Sequence, residues 1–229
     1  MNDFSEVQRQ EFKSNKIKKS FSGIKKVTEN YSQALQDIFV LTMLNGKKNG
    51  TYVEIGGAHP TNINNTYLLE KTFGWTGISF EINTELANFY NSERTNKCIC
   101  TDATQVNYSQ VFEENNLPSQ IDYLQVDIDP SYQSLASLKK IDLETYRFSV
   151  ITFETDAYQG CTDIVEESRN ILQRHNYQLV ASNVQNCGHA FEDWYVDPNI
   201  VTEDVWTALQ SDNIAVSYTH LTLPTILLV

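Results

Sequence analysis

Five apolar stretches of this chain each close on an acid. TYVEI carries Glu54 and runs straight into Gly56-Gly57; GWTGISFE ends in Glu81; KCICTDA carries Asp102; IDYLQVDID ends in Asp127 and Asp129; FSVITFETD carries Glu154 with Asp156 just beyond. One acid after a strand can cap the next helix or pair with a surface base. Five in succession are harder to account for that way, because each carboxylate costs solvation unless it meets a partner. In open parallel sheets, ligands bind outside the carboxyl ends of the strands. The chemistry on offer there is acceptance of hydrogen bonds and of positive charge.

A dinucleotide suits this edge poorly. The loop after the first strand is Gly56-Gly57-Ala58-His59-Pro60, without the later glycines of the G-x-G-x-x-G fingerprint. A row of acids would also repel a pyrophosphate, and the sequence contains no P-loop. S-adenosylmethionine fits better, having a sulfonium, an ammonium, one carboxylate and no phosphate. Its ribose diol suits one carboxylate accepting two hydroxyl hydrogen bonds. Glycines let loop N–H groups approach its amino-acid end.

The acids need a frame. In YSQALQDIFVLTML, Ser32 reads as a helix cap, with Leu35, Ile38, Phe39 and Met43 at helical spacing. Strands then alternate with helices as far as TDIVEESRNILQRHN, an amphipathic helix with Ile164, Val165, Ile171 and Leu172 on one face. Such alternation predicts a mostly parallel sheet covered on both faces. YQLVASNV and FEDWYVDP leave no room for a helix between them, which predicts an antiparallel hairpin at the sheet edge.

The chain's 229 residues suit one substantial domain with extensions. Residues 1–30 read as a basic leader, flexible or helical, and 31–215 as the domain. VSYTHLTLPT, Val216 to Thr225, fits nothing before it and looks like one reading frame of a sequencing-library adapter, so 216–229 is expected not to be native and the domain to be truncated. A net charge of −12 argues against nucleic acid as partner. No apolar run has membrane-spanning length and the N-terminus is polar and Lys-rich; we expect a cytoplasmic protein without an integral membrane segment. The four cysteines contain no C-x-x-C pair, so buried thiols are expected rather than a zinc site or disulfides.

The stretches YSQALQD, YVEIGGAHP, NNTYLLEKTFGWTGISFEIN, IDYLQVDID, FSVITFETDAY and FEDWYVDP together resemble the FkbM-type methyltransferases, a branch of the class I S-adenosylmethionine-dependent enzymes. The resemblance spans about Tyr31 to Pro198. It implies a Rossmann-like fold with a mostly parallel seven-stranded sheet, an antiparallel last strand and helices on both faces. It also implies that Gly56 and Gly57, with Glu54 behind them, lie under the methionine part of the cofactor. Glu81 would take the ribose hydroxyls, Asp102 and Ala103 would flank the adenine amine, and Asp127 would lie near the sulfonium and the acceptor. Two positions depart from the pattern: Pro60 stands at the third glycine position of the common class I loop, and Ile82 where a proline often follows the acid.

Such enzymes mostly methylate hydroxyls, which implies a small-molecule or glycan acceptor and a base to take its proton. The candidates are His59 at the loop tip, then Asp129, then His189. Asp127, Asp129 and Glu154 could instead hold a Mg²⁺ that binds two acceptor oxygens. Tyr132, Tyr158 and Trp194 could form an acceptor-side wall, or pack the core. Two other classes stay open: an NAD-type oxidoreductase with a degenerate loop, and a non-catalytic binding module on the same fold.

Overall fold

The computed structural model describes residues 20–27, 29–212 and 215–216. Most of the leader and all of 216–229 beyond Val216 lie outside the described residues. A short 3-10 turn at Ile24–Lys26 is the described leader's regular structure.

The sheet is built from β1 (Thr51–Ile55), β2 (Thr76–Glu81), β3 (Lys97–Cys100), β4 (Gln120–Val126), β5 (Arg147–Glu154), β6 (Gln178–Asn186) and β7 (His189–Val196), with two-residue strands β8 (Ser211–Asp212) and β9 (Ala215–Val216). Its order is β3-β2-β1-β4-β5-β7-β6-β8, with β9 also on β6. β1 to β5 are mutually parallel, and β7 runs antiparallel to both β5 and β6. This is the Rossmann-like arrangement expected. Two points differ from expectation: among the described residues the sheet has nine strands rather than seven, and the β6–β7 hairpin is not the outer edge. β7 is enclosed between β5 and β6, and β8 and β9 pair with the outside of β6.

Side chains alternate across a strand with period two, and that alternation sorts the apolar residues into two cores. Tyr52, Tyr123, Val150, Trp194 and Val196 pack with α1 (Gln36–Met43) and α2 (Tyr67–Phe73) on one face. Val53, Ile55, Leu124, Val126, Ile151, Phe153 and Tyr195 pack on the other with α4 (Tyr108–Glu114), α5 (Ser131–Leu138) and α6 (Thr162–Arg174). On α6, Ile164 and Leu172 are buried and Ile171 packs partly against this core. The remaining helices are α3 (Thr84–Glu93) and α7 (Glu203–Thr207).

Several local readings need correction. Ser32 does not cap α1, which begins at Gln36 after Leu35 in the left-handed region. Its hydroxyl donates to Asp37 Oδ1 (2.7 Å), while Ala34 N–H donates to Gln36 Oε1 (2.7 Å). Side chains from inside the helix thus satisfy the preceding segment, and the helix starts one turn late. Trp194 belongs to the core, fully buried against Phe39, so it cannot wall an acceptor. Of the four free cysteines only Cys98 is buried; Cys100 and Cys187 are exposed.

Candidate functional site

The register of the sheet explains why acids gather. Ser79, Glu54, Gln125, Thr152 and Trp194 are successive partners across β2, β1, β4, β5 and β7. Two residues nearer the carboxyl ends of the parallel strands, the same face carries Glu81, Gly56, Asp127, Glu154 and Glu192. The first row is buried, with Glu54 and Gln125 at the floor of one cleft; in the second row Glu81, Gly56, Asp127 and Glu154 line two adjoining clefts, and Glu192 is fully buried.

Glu54 is not a free ligand. It is buried, and its oxygens accept from Asn64 Nδ2 (3.1 Å), Thr66 Oγ1 (3.0 Å), Ser79 Oγ (2.6 Å) and Tyr90 OH (2.8 Å). Burial pushes its carboxyl up and the nearby Arg94 opposes this. Arg94 is itself buried, and all five of its N–H groups are used. They reach Glu70 Oε2, the Pro60 carbonyl, Asn64 Oδ1, Tyr52 OH and Thr66 Oγ1. The pair pins loop 57–66 beneath the first cleft: Asn64 Nδ2 also donates to the Gly57 carbonyl (3.2 Å).

Gly56 has φ +92°, and a Cβ there would stand 1.8 Å from the Asp127 carbonyl oxygen, so the close approach of β1 to β4 requires glycine. The N–H groups of Gly56 and Gly57 are not available to a ligand. Both donate to the Phe80 carbonyl (3.0 and 2.9 Å).

The first cleft, about 310 Å³, is lined by these glycines, Ala58, Glu81, Ile82, Asp102, Ala103, Gln125, Asp127 and Asp129, among others. That is within the range of small-ligand pockets. Glu81 accepts one backbone N–H on each oxygen, from Ala58 (2.9 Å) and Asn83 (2.7 Å), which fixes its plane and leaves a lone pair on each. Asp102 Oδ1 accepts from Thr104 N–H and Oγ1. Asn65 Oδ1 and Gln125 Oε1 are enclosed and meet no donor, though both residues line this cleft. Its lining offers acceptors, as a ligand bearing ammonium, hydroxyl and amine groups requires.

The second cleft, about 450 Å³, is lined by Gln33, Asp127, Asp129, Glu154, Asp156, Tyr158, Asn186, Cys187, His189 and Phe191. Asp127 and Asp129 belong to both clefts. Burial pushes the Asp127 carboxyl up to about 6, with Asp129 and Asp156 adding to it. Burial and then the charge of Asp127 push Glu154 up to about 11.

Of the proposed bases, His189 lines the second cleft with its ring 5.0 Å from that of Tyr158, and Asp129 is exposed where the clefts meet. His59 lines neither described cleft. Its Nδ1 accepts from Thr61 and Asn62 N–H, and its ring stands edge-on to Phe89. Tyr158 is half exposed on the second cleft; Tyr132 is exposed but does not line it. Of the acids suggested for Mg²⁺, Asp129 and Glu154 cluster with Asp156, while Asp127 faces Glu154 outside that cluster. Arg94, Asn64, Asn65 and Gln125 escaped the sequence reading. Nothing in NSERTNK distinguishes Arg94 from a surface arginine at a helix end.

Comparison with solved structures finds similarity at low identity and with TM-scores below 0.5. A TehB-like SAM-dependent methyltransferase from Corynebacterium glutamicum is 12% identical, with 76% of this chain and 91% of that one covered and a TM-score of 0.44. Fibrillarin of Aeropyrum pernix, in complex with natively bound S-adenosyl-L-methionine, is 12% identical over 66% and 67%, with a TM-score of 0.47. An rRNA methylase from Streptococcus thermophilus is 11% identical over 69% and 93%, with a TM-score of 0.46. At these values no function is carried across. No family model matches the chain, and no curated protein matches it.

Proposed function

We propose that the protein is an S-adenosylmethionine-dependent methyltransferase that binds its cofactor in the first cleft and methylates a hydroxyl of a small molecule or glycan in the second. The observation that carries this reading is the shared wall: Asp127 and Asp129 line both clefts, so two ligands would meet there. The cofactor supplies a methyl group already activated on a sulfonium. The chain's own tasks are to hold, align and deprotonate. Glu81, oriented by two amides, takes the ribose hydroxyls, and Asp102 and Ala103 flank the base. His189, across the second cleft, receives the proton that the acceptor hydroxyl loses. Acids on both clefts disfavour a phosphate-bearing acceptor or a dinucleotide. Among the described residues no helix is long and apolar enough to cross a membrane.

Calorimetric titration of S-adenosylmethionine, with NAD as control, tests the reading. We expect micromolar binding, weakened about 10- to 100-fold by Glu81→Ala, the loss of hydrogen bonds to a charged acceptor. Failure of the folded protein to bind, or equal binding of NAD, would overturn it.

A further inference from the structure

Left-handed backbone in this chain mostly falls on residues suited to it. Of the ten described non-glycine residues with positive φ, six are Asn or Asp: Asn45, Asn49, Asn116, Asp156, Asn176 and Asn183. Ile63, at φ 52°, is the one β-branched residue among the ten. A branched Cβ makes that conformation a strained outlier. Asn62, Asn64 and Asn65 surround it, each of a type that takes such a turn at less cost. The bonds on either side hold the strain at this position. Asn62 N–H donates to His59 Nδ1 (3.0 Å), Asn64 N–H donates to the Tyr31 carbonyl (2.9 Å), and Asn64 Oδ1 accepts from Arg94 (3.1 Å).

The side chain gains nothing from the interior in return. Ile63 is 48% exposed and belongs to neither apolar core. It stands on the lining of the first cleft, where Ile82 is the other exposed large apolar side chain. An exposed isoleucine on strained backbone costs the empty protein twice, so the compensating contact must come from what the cleft holds. We infer that Ile63 is a positioning residue for that occupant, its side chain packing on the apolar face of a bound nucleoside. This rests on the proposed function, in which the occupant is S-adenosylmethionine. Carboxylates serve the hydroxyl and cationic groups of such a ligand but not its ring face, which an aliphatic side chain covers. Because both neighbours of Ile63 are already tied down, little loop entropy is lost when the contact forms.

The test is calorimetric titration of S-adenosylmethionine into the full chain and its variants, with urea unfolding of each. Ile63→Asn keeps the left-handed turn and removes the apolar contact. It should weaken binding about three- to tenfold, the effect of half-burying an isoleucine. Its urea midpoint should stay at the parent's or rise above it, because the strain is relieved. S-adenosylhomocysteine should show the same loss, since an apolar contact does not sense the sulfonium charge. Ile63→Val should keep most of the affinity. Ile200→Asn, at a similarly exposed isoleucine that lines neither cleft, should leave it unchanged. Full affinity in Ile63→Asn would overturn this inference and leave the cofactor reading standing. Affinity and midpoint lowered together would show that Ile63 only shapes the loop, and would overturn it as well. A folded parent that binds no S-adenosylmethionine would remove the proposed function and this inference with it.

Discussion

Arg94→Met should destabilise the protein by about 3–5 kcal/mol, because removing one side of a buried ionic network strands the other. The measurement is the urea midpoint at unchanged slope. Five acceptors lose their donor together. Among them are the Pro60 carbonyl and Asn64 Oδ1, which hold the loop under the first cleft. Glu70 loses the guanidinium that opposes its burial, and Glu54 keeps its four donors without the neighbouring charge. Arg94→Lys should restore only a minor part, since an ammonium cannot reproduce a five-way planar fork. A loss below about 1 kcal/mol would mean that the network is cosmetic.

Glu192→Gln should do the opposite, and only at high pH. Glu192 is fully buried; its Oε2 accepts from Trp194 Nε1 (2.6 Å) and Gln36 Nε2 (2.9 Å), while its Oε1 has no partner. Burial, then the charge of Asp127, pushes the carboxyl up to about 8. In the unfolded chain it titrates near its ordinary value of about 4.3. Between these values the folded state keeps a proton that the unfolded state has released, so stability falls as pH rises through the window. The glutamine can accept the same two bonds and does not titrate. The variant should therefore match the parent at pH 4–5 and exceed it by about 2–4 kcal/mol at pH 8. Urea unfolding at both pH values decides it; an equal difference at the two would show that Glu192 does not titrate in this window.

The strand-end acids were legible because each sits where a continuous apolar run stops, and period-two alternation carries them onto one face. Their roles were less legible. Glu54 and Glu81 look alike in sequence, both ending a strand, yet one is saturated inside and the other stands open on a cleft. The difference comes from partners 10 to 36 residues away, at Asn64, Thr66, Ser79 and Tyr90. Arg94 was invisible for the same reason. Ser32 misled because its hydroxyl donates to Asp37, inside the helix, and no side chain caps the helix start. Trp194 misled because an aromatic beside acids reads equally as wall or core, and only its place in β7, enclosed between β5 and β6, decides.

The wall shared by the two clefts makes them thermodynamically interdependent. Because Asp127 and Asp129 face both, a charge placed in one is felt in the other at short range, little screened by salt. Whatever factor an occupant of one cleft imposes on affinity in the other must be returned in full. Two positively charged occupants would each weaken the other. An affinity measured with one cleft empty therefore overstates that ligand's grip on the doubly loaded protein. Conversion of a charged occupant of the first cleft into a neutral one would tighten the hold on any cation in the second.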